Sequence, residues 1–332
     1  MTSKFTPIKM TKIKICLRKE TNILEYIKGF TFGWLARKGD FEKIEAKQSL
    51  KLLKERTNSN YVIFALAALQ DTAHSTKIDY TDSHMVDDDE LVGMIEYARS
   101  LDLKVIIKPT VNVKDGTWRA HINFFDIDVP CEPRWRDWFR NYTAYQLHYA
   151  RIAERMNCEM FIVGCEMVQT ERREREWRKL IDDVRSVYKG LITYNTDKYQ
   201  EGHVKWWDAV DVISSSGYYP IDDWDAQLDR IEGIIKPYNK PFFFAEAGCP
   251  SRTGSSLVPN DWSLIGNANL QEQEEYYKEM FMKTSVKEWI SGFGLWDWSA
   301  NLYDKEKAVL DSGYGVFEKP SEKIIKQFYT LK

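Results

Sequence analysis

The chain is expected to fold as a single α/β domain, a (β/α)₈ barrel spanning residues 1–332 with its core over about 28–331. Three observations lead there. Short apolar, β-rich runs alternate with longer amphipathic stretches through nearly the whole sequence, which implies parallel strands joined by right-handed crossovers. Eight such units in about 300 residues match the size of a closed barrel. An open doubly wound sheet would carry a Gly-rich phosphate loop after its first strand. GFTFGWLARKGD has neither a G-x-G-x-x-G nor a Walker pattern.

The elements follow in order. GFTFGW (29–34) reads as the first strand, and the helix at 45–56 places Leu50 and Leu53 on one face. YVIFALAAL (61–69) is the second strand. The helix at 87–101 opens on DDDE, where the helix dipole favours acidic residues, so that run reads as a helix start and not a metal site. LKVIIKPT (103–110) is the third strand. A long loop with Asn112, Trp118 and His121 leads to a long helix at 134–157. CEMFIVGCE (158–166), the fourth strand, ends on a glutamate. After a helix at 175–188 come the strands LITYN (191–195) and DVISSSGYY (211–219), then a helix at 225–238. PFFFAEAG (241–248) is the seventh strand, again with a glutamate near its end. A helix at 271–284, the strand GFGLWDW (292–298) and a helix at 321–331 complete the set.

Lysine and arginine number 47 against 50 acidic residues, a net charge of −3. Neither nucleic acid nor an anionic membrane is expected as a partner. No apolar run of about 18 residues is present, so no membrane span is expected. The N-terminal MTSKFTPIKMTKIKICLRKE is basic but lacks the apolar run of a signal peptide. The five cysteines, Cys16, Cys131, Cys158, Cys165 and Cys249, are odd in number and contain no Cys-x-x-Cys pair, as reduced thiols would be. A cytoplasmic, monomeric protein is the expectation; secretion would require a leader already removed. The five histidines are scattered and give no zinc-ligand spacing, so neither metal nor organic cofactor is expected. Twelve Trp, 18 Tyr and 16 Phe supply faces that stack on sugars or fill a large core.

In a barrel of this kind function sits at the C-terminal ends of the strands. The inferred ends bring Trp34, Asn112, Glu166, Asn195, Tyr218, Glu246 and Trp296 to one face. A glutamate at the end of a buried strand is costly unless it pairs or acts, and this chain has two, on strands that face each other across the mouth. Two carboxyls roughly 5–5.5 Å apart are what a retaining glycosidase requires.

The stretches GFTFGW, KPTVNVKDGTWR, FIVGCEM, ITYN, WWDAVDVISSSGYYP, FFFAEAGCPSR and GFGLWDW span residues 29–298. As an ordered set they resemble the retaining glycosidases of clan A, and within them the β-mannanases of glycoside hydrolase family 113. The resemblance implies Glu166 as general acid/base, Glu246 as nucleophile and Tyr218 as a hydrogen-bond donor to the nucleophile. It implies that Asn112 contacts the sugar at the cleaved position and that Trp34, Trp118 and Trp296 wall the sugar subsites, with Asn195 also among the substrate-binding residues. Cys165 stands where many clan members have Asn, which leaves open the group that reads the sugar 2-hydroxyl. The implied activity is hydrolysis of β-1,4-mannan or manno-oligosaccharides by double displacement. An exo-acting β-mannosidase and a β-glucosidase-type enzyme use the same machinery. Two other classes stay open: a barrel that binds carbohydrate without cutting it, and a phosphate-binding barrel using Gly248 and Gly254 of AGCPSRTGSS.

Overall fold

The computed structural model describes residues 24–332 apart from Asp82 and Ser83. Cys16 and the basic N-terminal stretch lie outside the described residues. Eight parallel strands close into a barrel in sequential order. They are β1 (Ile27–Phe32), β2 (Tyr61–Gln70), β3 (Lys104–Val113), β4 (Met160–Cys165), β5 (Leu191–Thr196), β6 (Ile213–Gly217), β7 (Phe242–Ala247) and β8 (Ile290–Trp298). The barrel closes where β8 pairs with β1, Gly29 opposite Gly294. Outside it lie α1 (Ile44–Thr57), α2 (Asp88–Ser100), α3 (Trp135–Arg155), α4 (Glu174–Val187), α5 (Trp224–Ile235), α6 (Leu270–Ser285) and α7 (Pro320–Leu331). Among the described residues no helix is long and apolar enough to cross a membrane.

The strand and helix periods produce two cores. The larger lies between strands and helices and takes its bulk from aromatic side chains, including Trp138, Trp177, Trp206, Trp224 and Trp298. The smaller lies inside the barrel, where alternate strand positions point inward: Ile27, Tyr61, Ile63, Ile106, Met160, Ile162, Phe243 and Ala245 plug its lower half. Acidic residues at the start of α2 do mark a helix start. Asp87 accepts from the Glu90 backbone while Glu90 reaches back to the Asp87 N–H, a reciprocal cap.

One connection departs from the simple alternation. Between β5 and β6 the chain makes only a 3₁₀ turn, Trp207–Ala209. Trp206 and Trp207, both fully buried, occupy that sector, and Trp206 stacks on Trp177 of α4 at 5.0 Å. Their indoles cover the strands that a helix would otherwise shield.

Two register slips set the direction of the side chains at the barrel mouth. Ile162 pairs with Thr193 but Cys165 pairs with Asn195, so β4 carries one residue more than β5. Ser215 pairs with Phe244 but Ser216 pairs with Glu246, so β7 likewise gains a residue. A bulge re-aims the side chains that come after it. Both slips lie just before a glutamate.

The β1–β8 seam is tight at Gly292, whose φ of 136° is in the region reserved for glycine. A Cβ there would lie 2.2 Å from the Ile27 carbonyl oxygen. Gly292→Ala should therefore cost about 3 kcal/mol of stability. Urea unfolding checks it, and an unchanged midpoint would contradict the seam's close approach.

Candidate active site

The β7 bulge turns Glu246 into the barrel mouth, where it is 5 % exposed. Lys108 reaches the same point from β3. It follows Ile106 by two positions, on the inward face, and is 1 % exposed. Its ammonium lies 2.6 Å from Glu246 Oε1. The Cys165 thiol donates to the same oxygen at 3.2 Å, and the Tyr218 hydroxyl donates to Oε2 at 2.9 Å. Burial alone would push the Glu246 carboxyl up. The charge and hydrogen bond of Lys108, the Arg119 guanidinium and the Cys165 thiol outweigh it and hold the carboxyl below its ordinary range. Tyr218 and Cys165 are themselves pushed well up by burial and by the Glu246 charge, so both stay protonated and donate.

Glu166 follows the β4 bulge with a left-handed φ of 53°. Its N–H donates to the Asn195 carbonyl at 2.8 Å, which anchors the turn. Oε1 accepts from Ser216 Oγ at 2.8 Å. Oε2 accepts from the Arg119 guanidinium at 3.2 Å and the Trp118 indole at 3.3 Å. Here the balance runs the other way. Burial, then the Glu246 charge, push Glu166 up, and Arg119 with the Ser216 and Trp118 bonds only partly oppose them. The two carboxyls are thus pushed in opposite directions, Glu246 down by the Lys108 charge and Glu166 up by burial and the Glu246 charge.

The remaining expected residues fall in three places. Asn112 lies inside β3, and its Oδ1 accepts from Arg119 at 2.8 Å, so it touches Glu166 through the arginine. Asn195 is fully buried, and its amide donates to Ser216 Oγ at 3.0 Å, one link behind Glu166. Trp118 stands 43 % exposed at the rim. Trp34 and Trp296 meet at 5.0 Å between ring centres, and Trp34 donates its indole N–H to Asp297. The Trp296 N–H is buried without an acceptor among the described residues. Trp262 and Tyr314, 5.0 Å apart, extend this wall; Trp262 packs edge-on against Trp34, and Tyr314 against Tyr218.

Sequence reasoning missed Lys108, Arg119 and Ser216. A lysine inside VIIKPT, in phase with inward-facing Ile106, was a signal for the first. The others become visible only with the fold. Histidines 74, 148 and 203 bond to Asn123, Asp88 and Gln200, outside the cluster. Among the described residues no group of His, Cys, Asp and Glu is arranged to hold a metal ion. Trp206, Trp207 and Trp298 are buried in the outer core, and Trp289 is half-buried against it. The phosphate-binding alternative meets an obstacle: the N–H groups of Gly254 and Ser256 already donate to the Glu272 carboxylate, at 3.0 and 2.9 Å. An anion would have to displace a charge of its own sign.

Behind Glu166 a second carboxyl is protonated for structural reasons. Glu171 accepts from the Tyr194 hydroxyl at 2.8 Å and Thr196 Oγ1 at 2.7 Å, while Oε2 is buried without a partner among the described residues. Burial raises it to about 8, against the two hydrogen bonds.

A parallel barrel whose mouth closes over two buried glutamates with proton affinities pushed apart, beside a wall of indoles, has the equipment of a glycoside hydrolase. The model of Glycoside Hydrolase Family 113 matches residues 30–319, and the chain belongs to that family. A solved complex of a family 113 β-1,4-mannanase is 65% identical, with a TM-score of 0.92, over 93% of this chain and 100% of that one. The family 113 β-mannanase AaManA from Alicyclobacillus acidocaldarius, in complex with ManMIm, is 41% identical, with a TM-score of 0.90, over 93% and 98% of the two chains. The β-glucuronidase of Ruminococcus gnavus shares the fold at 14% identity and a TM-score of 0.63, over 92% of this chain and 50% of that one. Among curated proteins no relative matches the chain.

Two outcomes are expected from the site's electrostatics. Lys108→Met removes the charge that keeps Glu246 ionised. The acidic limb of kcat/KM should move to higher pH and kcat should fall on the order of 100-fold, the scale of losing one preorganised partner. An unmoved limb would separate Lys108 from Glu246. Glu171 bears on stability instead. The folded chain keeps a proton up to about 8 that the unfolded chain releases near about 4.3. Its contribution therefore declines as pH rises through that window. Glu171→Gln keeps a neutral side chain, so the Tm of the variant relative to the parent should rise between pH 5 and pH 8.5. A constant difference would show that Glu171 is ionised when folded.

Proposed function

We propose that this chain is an endo-acting β-1,4-mannanase that works by retaining double displacement in one catalytic domain. The observation that carries the reading is the pair of buried glutamates at the barrel mouth, Glu246 held by Lys108 and Tyr218 and Glu166 by Arg119 and Ser216, in a chain whose family relatives at 65% and 41% identity are described as β-mannanases.

In this reading Glu246 is the nucleophile. Lys108, Tyr218 and Cys165 keep it charged and fix its two oxygens. Glu166 holds the proton delivered to the departing glycosidic oxygen. Once the glycosyl-enzyme forms, the negative charge on Glu246 is gone, and with it the main charge that raises Glu166. Glu166, having given its proton to the departing oxygen, is then stable as a carboxylate; it takes a proton from the attacking water as the water's oxygen bonds the anomeric carbon and the ester bond to Glu246 breaks. The machinery thus switches Glu166 from acid to base by consuming the neighbouring charge. Arg119, bonded to both Glu166 and Asn112, holds the acid from the rim side. Trp34 and Trp296 offer aromatic faces to the sugar rings. Trp118, at the rim, takes a sugar beyond the cleaved bond.

Glu246→Ala should abolish turnover. Glu166→Ala should slow natural mannosides far more than aryl mannosides, whose leaving groups need little protonation. The two carboxyls should stand roughly 5–5.5 Å apart, and proton NMR should detect the β-anomer first. Mannohexaose should yield internal fragments before mannose accumulates. Equal slowing of aryl and natural substrates by Glu166→Ala, or first release of the α-anomer, would overturn the assignment.

A further inference from the structure

Two cavities border Trp34. One, of 440 Å³, runs along Trp262, Trp296 and Tyr314 and belongs to the aromatic wall already described. The other, of 660 Å³, opens between the loops that come after β1 and β8, and no step of the double displacement uses it. Its volume is within the range of roughly 300–1,000 Å³ usual for small-molecule sites. The two cavities share Trp34, Leu35, Asp297, Ser299 and Asn301, so they meet along one ridge.

The lining of the larger cavity suits a neutral polyol. Trp34 supplies an aromatic surface. Asp297 is half-buried and borders both cavities; one of its oxygens accepts from the Trp34 indole at 2.5 Å. No hydrogen bond or ion pair from another described residue reaches its second oxygen, which leaves an acceptor for a sugar hydroxyl. The Asn301 side-chain amide, also common to both cavities, is likewise not engaged by any described residue and offers both donor and acceptor. Asp40 and Lys43 neutralise each other at 2.6 Å, so Asp297 and Glu45 leave the lining net negative. That balance disfavours an anion. An apolar ligand would strip water from these groups and return no hydrogen bond.

We propose that this second cavity is a hexosyl-binding pocket that holds one sugar unit of the substrate beyond the aromatic wall, with Asp297 and Asn301 meeting its hydroxyls. The inference rests on the mannan reading of the cleft. The unit is either the next residue of the backbone or a side sugar attached to it, and substrate choice tells them apart.

Lys43→Trp fills the cavity from an exposed position that borders this cavity and not the aromatic wall, away from both glutamates. Glu45→Trp, in the first turn of α1, fills it independently should the first variant fold poorly. Each is assayed on mannotriose, linear mannohexaose and a mannopentaose bearing one hexosyl branch at O6. Mannotriose kinetics should stay within about twofold of the parent, while KM rises about tenfold on a substrate that reaches the pocket, the scale of one lost hydrogen bond to a charged group. A rise on mannohexaose assigns a backbone unit, and a rise on the branched substrate alone assigns a side sugar. Filled, folded variants that match the parent on all three substrates overturn the pocket. So does an equal loss on all three, which marks damage to the cleft. A parent inert on every manno-oligosaccharide sinks the mannan reading itself, a result distinct from an active parent that matches its filled variants.

Discussion

The ion pair of Lys108 and Glu246 is the interaction on which the rest of the mouth depends. Both groups are almost fully buried, at 1 % and 5 % exposure. Taking two charges out of water is offset only when they meet in good geometry and their other bonds are made, and removing one partner of such a pair typically costs about 3–5 kcal/mol. Here the other bonds are made by Tyr218 and Cys165. A charge fixed in this way becomes the field that its neighbours feel. After burial, it is the next largest influence that raises Glu166, Tyr218 and Cys165, so one anion bears on three groups around it.

The barrel makes this arrangement possible. The apolar plug from Ile27 to Ala245 fills the lower interior, and Lys108 and Glu246 face inward above it. Each glutamate then needs one local irregularity to arrive at the mouth. In β7 the slipped register breaks the alternation so that Glu246 follows Ala245 inward. In β4 the slip is followed by a left-handed residue at Glu166 itself. These are strained or unpaired positions, and the surrounding hydrogen bonds, from Asn195, Ser216, Arg119 and Trp118, over-determine them.

Two kinds of residue surround the pair. Inside are groups that act on the carboxyls directly or one link away: Lys108, Arg119, Ser216, Asn112 and Asn195. Around the rim are indoles and phenols, Trp34, Trp296, Trp262, Tyr314 and Trp118, that provide surface. The inner group is polar, with Lys108, Ser216 and Asn195 buried and Arg119 and Asn112 half-buried; of the aromatic group Trp296 and Tyr314 are buried, while Trp262 and Trp118 are 63 % and 43 % exposed. Aromatic platforms can be wet, whereas groups that tune a proton affinity must be dry, because water would screen them.

Much of this was legible in the chain itself. Period-two and period-3.6 patterns determined the eight strands and seven helices, with helices at 45–56 and 271–284 found as Ile44–Thr57 and Leu270–Ser285. These patterns are local, and burial of one face is all they need to express. The glutamates at 166 and 246 were visible for the same reason, as charges ending apolar strands. The tertiary structure alone decided how they are wired. Asn112 and Asn195 stood out in the sequence as strand-end residues, and the fold alone shows that their side chains bond Arg119 and Ser216. Lys108 lies 138 positions from Glu246, and Arg119 lies 47 from Glu166. No local pattern encodes such pairings, because the barrel's closure and the register slips in β4 and β7, not sequence proximity, bring the charges within reach, and only that convergence separates one carboxyl's proton affinity from the other's.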